Sequence, residues 1–209
     1  MNNLLFILLF VLSGSASLGQ APVADSVVPK SPTAISYTLS IQSDKNDGVA
    51  ESYNGAIKTL FFSDKLVRNR MVSLMRVQSI FYNARGTEPS ITIVKESGDK
   101  KYKRVLTQAA WNKMNSKYKD VHYEFLEDST EILNYKCHKV IVHVEKNKTI
   151  TAYYTNQLGH PLFAKIEPAF VGIPGVVLQY EYQNKQALFV YTATEVSFNT
   201  VPSDIYKIP

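Results

Sequence analysis

One cysteine in 209 residues, Cys137, removes several classes of protein at once. A lone thiol builds neither an internal disulfide framework nor a multi-cysteine zinc site. No cysteine stands near residue 20, which excludes lipid attachment at a processed cysteine. Histidine is scarce too, at positions 122, 138, 143 and 160. His138 and His143 are five apart in a strand-like stretch and face opposite sides, so they cannot chelate one metal together; neighbouring Cys137 and His138 diverge for the same reason. There is no H-E-x-x-H, no G-x-S-x-G elbow and no glycine-rich phosphate loop. No metal and no cofactor is therefore expected, and no catalytic residue stands out. The longest apolar run, LLFILLFVL over 4–12, is far shorter than the roughly 20 residues a membrane helix needs.

What is present begins with that run. Nine apolar residues followed by SGSASLG have the build of a signal peptide, although no Lys or Arg precedes them. A cut after Gly19 gives a signal peptide over 1–19, with a cut after Ser17 as the alternative. Residues 20–32 hold three prolines and no periodicity, and read as a flexible leader. The remainder, 33–209, reads as a single β-rich domain, and a whole chain that is 45% hydrophobic has enough apolar side chains for a packed core. The expected location is periplasmic or secreted.

From Thr33 onward the pattern is short runs of period 2. Ile35, Tyr37, Leu39 and Ile41 alternate with polar residues. Further strands are expected at 58–62, 66–71, 77–83, 90–96 and 101–106, then at 122–127, 130–135, 137–145, 149–155, 175–183 and 186–198. One amphipathic helix is expected over 107–118, with Thr107 as its N-cap and an apolar stripe of Leu106, Ala110, Met114 and Tyr118 beside Trp111. About ten or eleven antiparallel strands and one helix predict a mainly β fold: a strongly curved sheet, an open or half barrel, with the helix on its concave face. Ile205, Tyr206 and Ile208 are expected to pin the C-terminus to the body.

Charge is uneven. The window 95–119 holds eight basic residues against Glu96 and Asp99, a net +6, while the whole chain nets +5. In an exported protein such a patch suits anionic head groups or acidic glycans better than nucleic acid; a plain solvated face explains it as well. The 13 tyrosines suit a cavity lining or rim, or an ordinary sheet surface. Cys137 reads as a small buried hydrophobe.

Four segments carry a family likeness: ILNYKCHKVIVHV (132–144), TAYYTN (151–156), GIPGVVLQYEY (172–182) and VPSDIYKIP (201–209). Together they resemble the secreted GLPGLI-type proteins of Bacteroidota and the related domain family of unknown function. Asn134 stands where the family has glycine, Tyr153 where it has tryptophan, and Ile173 where it has leucine. The resemblance covers about 125–209 and implies no agreed activity and no catalytic residue. More loosely, the sheet resembles the half-barrels of periplasmic lipoprotein carriers.

The leading expectation is a non-enzymatic exported protein that shelters an apolar or lipid-like ligand, with Trp111, Met114, Tyr118 and Tyr180 as ligand-binding residues. The alternative is an envelope protein-interaction module without a ligand, and the third is a hydrolase with an unrecognised site. Gly172, Pro174 and Gly175 are expected to form a tight structural turn at the sheet rim, since Pro174 cannot donate to a ladder and glycine admits unusual backbone angles.

Overall fold

The computed structural model describes residues 28–43, 48–144, 148–184 and 187–209. The signal peptide expected over 1–19 and the first part of the leader lie outside the described residues. The strands are β1 (Ala34–Ser43), β2 (Ile57–Phe62), β3 (Leu66–Val72), β4 (Val77–Asn83), β5 (Ser90–Ser97), β6 (Lys100–Thr107), β7 (His122–Ile132), β8 (Tyr135–Val144), β9 (Lys148–Thr155), β10 (Val176–Asn184) and β11 (Ala187–Ser197). The α-helices are α1 (Gly48–Tyr53), α2 (Gln108–Met114) and α3 (Phe163–Ile166).

All eleven strands form one antiparallel sheet in the order β6-β5-β4-β3-β2-β1-β11-β10-β9-β8-β7. The chain builds it as two meanders. The first runs outward from β1 to β6, and the second runs from β7 inward to β11, which pairs with β1. The sheet stays open among the described residues, with β6 and β7 as its edges and α2 in the connection between them. This is the mainly β, unclosed architecture expected from the alternation.

Because every pairing is antiparallel, the connections sort to two ends. The β3–β4 and β5–β6 turns, α1, the last residue of β8, the first of β9 and the last of β10 share one end, called here the mouth end. The β4–β5 and β7–β8 turns and the long β9–β10 connection share the other.

Turn chemistry fixes much of the register. Ser63 N–H donates to the Leu66 carbonyl at 2.9 Å, closing the β2–β3 hairpin through Ser63-Asp64-Lys65. The β7–β8 hairpin turns through Leu133 (φ 52°) and Asn134 (φ 64°), the paired positive angles of a tight hairpin turn. Asparagine tolerates that conformation better than most residues, which explains how it can stand where the resembling family has glycine. The strand expected at 122–127 and the first half of the one expected at 130–135 form one strand, β7, with a register shift between Phe125 and Ser129, while Leu133 and Asn134 make the turn and Tyr135 begins β8. A bulge keeps the strand hydrogen bonded across a break in alternation that reads as a turn.

The helix expected over 107–118 is shorter. Thr107 Oγ1 caps it by accepting from Ala110 N–H at 3.2 Å. It ends at Met114 because Asn115 leaves helical geometry (φ −103°, ψ 17°) and its side-chain amide donates to the Trp111 carbonyl at 3.0 Å. A short 3-10 turn, Ser116–Tyr118, follows. The short helices α1 and α3 were not expected; four to six residues are too few to leave a periodic signature.

The leader is not wholly free. Lys30 N–H donates to Gln157 O at 2.9 Å and its carbonyl accepts from Gly159 N–H at 3.0 Å. At the other terminus Arg68 Nη1 donates to Ile205 O at 2.9 Å, holding the last residues on the outer face of β3 as expected, while Ile208 is exposed.

Candidate functional site

The concave face is not empty. The β9–β10 connection, 156–175, folds into it through α3 and the 3-10 turn Pro168–Phe170. Leu158, Phe163, Ile166, Phe170 and Ile173 are buried. At about 1.5–3 kcal/mol for each large apolar side chain, that burial is what keeps a twenty-residue connection in place. Side chains from around the sheet clamp it. Phe62 of β2 stacks on His160 at 4.4 Å. His160 Nδ1 accepts from Leu162 N–H at 3.2 Å, and burial lowers the imidazole's pKa against the opposing pull of Asp64. Tyr123 of β7 donates from its hydroxyl to Ala169 O at 3.1 Å and accepts there from Gly172 N–H at 3.2 Å. Trp111 Nε1 donates to Lys165 O at 3.3 Å.

The centre of this plug is polar. Lys58 sits on the inward series Lys58, Leu60, Phe62 of β2 and is 4% exposed. Its ammonium lies 2.6 Å from Glu167 Oε1 and donates to Tyr180 Oη at 3.0 Å. Three rings surround it, with centroids at 5.2 Å (Tyr37), 5.1 Å (Tyr180) and 5.5 Å (Tyr191). Asn69 Nδ2 donates to the same Glu167 oxygen at 3.1 Å. Burial opposes charge on Lys58, yet the Glu167 carboxylate and Tyr37 outweigh it and hold the ammonium's pKa above its ordinary value. Burial drives the Tyr37, Tyr180 and Tyr191 hydroxyls far above their ordinary value, so all three remain protonated. Tyr37 spends its proton on the Val177 carbonyl at 2.8 Å. This is a locked ion pair in an aromatic box, placed to hold the plug and poorly placed to move protons.

Beside the box lies a cavity of about 380 Å³. Tyr180, Tyr182 and Tyr191 line it, part of an aromatic ladder of cross-strand pairs of β10 and β11: Tyr180 stacks on Tyr191 (4.6 Å, 10°), and Tyr182 stacks on Phe189 (5.3 Å, 3°), which lies outside the lining. Phe170 meets Tyr180 edge-on at 5.2 Å from the plug side. Glu167 lies at its base, and Val144, Lys148 and Asn184, at the mouth end, form one lip with Lys117 and Tyr118 on the other. A larger depression of about 770 Å³ borders α2, lined by polar side chains such as Gln108, Asn112 and Asn115 and by apolar ones such as Trp111, Pro168 and Val171.

Of the residues expected to bind a ligand, Tyr118 and Tyr180 line the smaller cavity. Trp111 is buried and faces the plug and the larger depression. Met114 is a correction. It is 47% exposed and lines neither space. Trp111 is the buried anchor of a helix only two turns long, and the face centred on it leaves Met114 at the solvent edge. Lys58, Glu167 and Tyr182 were not anticipated. For Lys58 a signal existed: a lysine in register with Leu60 and Phe62 sits on the apolar face of its strand, where an unpaired charge is not tolerated.

The expected turn residues occupy a close-packed corner at the opposite end. Gly175 has φ 133°, and a Cβ there would come within 2.1 Å of the Thr155 carbonyl oxygen. A Cβ on Gly172 would come within 2.4 Å of the Tyr123 ring. Pro174 lies between them in the same bend. Cys137 is fully buried, and burial pushes its thiol up to about 11.

Among the described residues no group of three or more His, Cys, Asp or Glu side chains could hold a metal ion, and no helix is long and apolar enough to cross a membrane. No family model matches the chain. No curated protein matches it. Among solved structures it is similar to the crystal structure of the Mycobacterium tuberculosis lipoprotein LppX, with a TM-score of 0.34 and 6% identity, over 81% of this chain and 89% of that one. A likeness that distant says nothing about function.

Proposed function

We propose that this is a non-enzymatic, exported protein of the periplasm or exterior that shelters an apolar or lipid-like molecule between its plug and the β8–β11 half of its sheet. The observation that supports it is the cavity itself. At about 380 Å³ it falls within the range of small-molecule sites, and the rings of Phe170, Tyr180, Tyr182 and Tyr191 share its lining with polar groups at base and lip. At about 30 Å³ per water-sized group it holds on the order of a dozen heavy atoms. That suits one chain or a small ring system and not a two-tailed lipid. Lys117 and Lys148 at the lip suit an anionic end on that guest. The same proposal sets the chain beside the GLPGLI-type proteins.

Protein purified natively from the exported fraction should carry a guest of a few hundred daltons that organic solvent removes, and its N-terminus should lie near Gln20. An interaction module without a guest is favoured by the filled centre of the concave face. A clean unliganded mass together with no uptake of an apolar fluorophore selects that second reading and ends the first.

A further inference from the structure

At the mouth end, away from the cavity, the β3–β4 turn presents Leu74 and Met75 to solvent, 88% and 67% exposed. Such large apolar side chains at the tip of a turn have no packing role. The turn itself is built firmly: Ser73 N–H donates to Arg76 O at 2.9 Å, and Ser97 Oγ reaches across from β5 to Met75 O at 3.0 Å. Arg76 Nη1 donates to Tyr53 Oη of α1 at 3.3 Å. Directly beside the tip is a basic hollow of about 410 Å³ lined by Arg76, Lys95, Lys100 and Lys101 with Ser97 and Tyr102. Two acids stand nearby: Glu96, which faces Lys101 at 3.3 Å, and Asp99 in the β5–β6 turn. Four cations against two acids leave the corner positive.

We infer that this corner docks the protein on an anionic bilayer surface, with Leu74 and Met75 entering the interface and Arg76, Lys95, Lys100 and Lys101 facing phosphate head groups. Apolar side chains that insert, ringed by cations, are the chemistry of reversible interfacial attachment. A second protein would need a shaped apolar groove, and a single two-residue tip offers none; an anionic surface needs only charge and something to insert. The corner shares the mouth end with Lys117 and Lys148 at the lip of the aromatic cavity, so a docked protein brings that lip towards the membrane. The inference stands on the tip and the hollow and does not require a guest in the cavity.

The test is co-sedimentation with vesicles. Wild-type protein should bind phosphatidylglycerol vesicles, should bind pure phosphatidylcholine vesicles weakly, and should be released by half-molar salt. Leu74→Ser with Met75→Ser should weaken binding at least tenfold, the smallest loss expected for even one large apolar side chain. Lys100→Gln and Lys101→Gln should each weaken it about fivefold. All four side chains are exposed, so melting temperatures should match wild type and report that folding is intact. Lys113→Gln with Lys119→Gln, on α2 and at the end of the 3-10 turn after it, should leave binding unchanged. The inference fails if wild type ignores phosphatidylglycerol vesicles, or if phosphatidylcholine binds as well. It also fails if the α2 variant loses binding while the corner variants keep it, or if millimolar inorganic phosphate strips the protein from the vesicles, which would mark a free-anion site. None of these outcomes bears on whether the cavity holds a guest.

Discussion

Replacing Glu167 with alanine leaves the Lys58 ammonium in an aromatic box with no counter-ion. The pair is 2.6 Å apart, with side chains 4% and 14% exposed, so the ammonium itself is shielded from bulk solvent and loses its only carboxylate partner among the described residues. Breaking a buried pair from one side costs about 3–5 kcal/mol. For a domain of this size, about 2–4 °C per kcal/mol converts that into a fall in melting temperature of roughly 6–20 °C. The pH dependence should change as well. In the wild type the lysine's pKa is raised by Glu167 and Tyr37 against burial, so the pair's stabilisation is complete at neutral pH and is lost only as pH rises through that raised value. Without Glu167, burial dominates and depresses the lysine below its unfolded value. The unfolded chain then binds more protons than the folded one, and stability must rise with pH between 7 and 10. Thermal melts across that range read both effects. Lys58→Met combined with Glu167→Leu removes both charges and should recover most of the loss. A Glu167→Ala variant that melts within 2 °C of wild type with no upward slope in pH would refute the buried-pair account.

The remaining predictions are more local. Gly175→Ala should cost several kcal/mol, since φ 133° and a 2.1 Å approach to the Thr155 carbonyl leave no room for a methyl group; unchanged chemical denaturation would contradict this. Cys137, at 0% exposure with its thiol pushed up to about 11, should react with a thiol reagent at the rate of unfolding, and rapid labelling of native protein would show the strand is placed differently. Trp111→Ala should lower stability by about 3–5 kcal/mol. Trp111→Phe should keep most of the packing and lose chiefly the hydrogen bond to Lys165 O, about 1 kcal/mol in chemical denaturation; equal losses in the two variants would mean the ring does not clamp the plug.

The sheet was legible because it is a meander. Strands such as β1 alternate clearly, with Ile35, Tyr37 and Leu39 buried, and serine, glycine or asparagine marks most turns, so period 2 and turn chemistry locate most of the strands. Legibility stopped at the bulge in β7, where two extra residues look like a turn, and at Asn115, whose effect on α2 depends on its own side-chain hydrogen bond. It stopped again at the plug. Residues 156–175 read as a loop because α3 is four residues long, and nothing local says that Phe163 and Phe170 will fold inward. Tyr118 and Tyr180 were within reach as amphipathic and strand aromatics. Glu167 was not, because its partner Lys58 lies more than a hundred residues away in the chain, and such pairings are a property of the curved sheet.

The account rests on the cavity beside the aromatic ladder being open to a guest, and that can be measured directly. Val144 lies on the inward face of β8 with Val140 and Val142, half-buried at the cavity lip. Val144→Trp should fill the space from the rim without disturbing the Lys58–Glu167 pair. Titrating a fluorescent single-chain fatty acid into solvent-stripped wild-type protein should give saturable binding at one site, and the Val144→Trp variant should bind at least tenfold more weakly while melting as wild type does. Equal binding by both proteins, or no binding by either, would contradict the claim that this cavity is the ligand site.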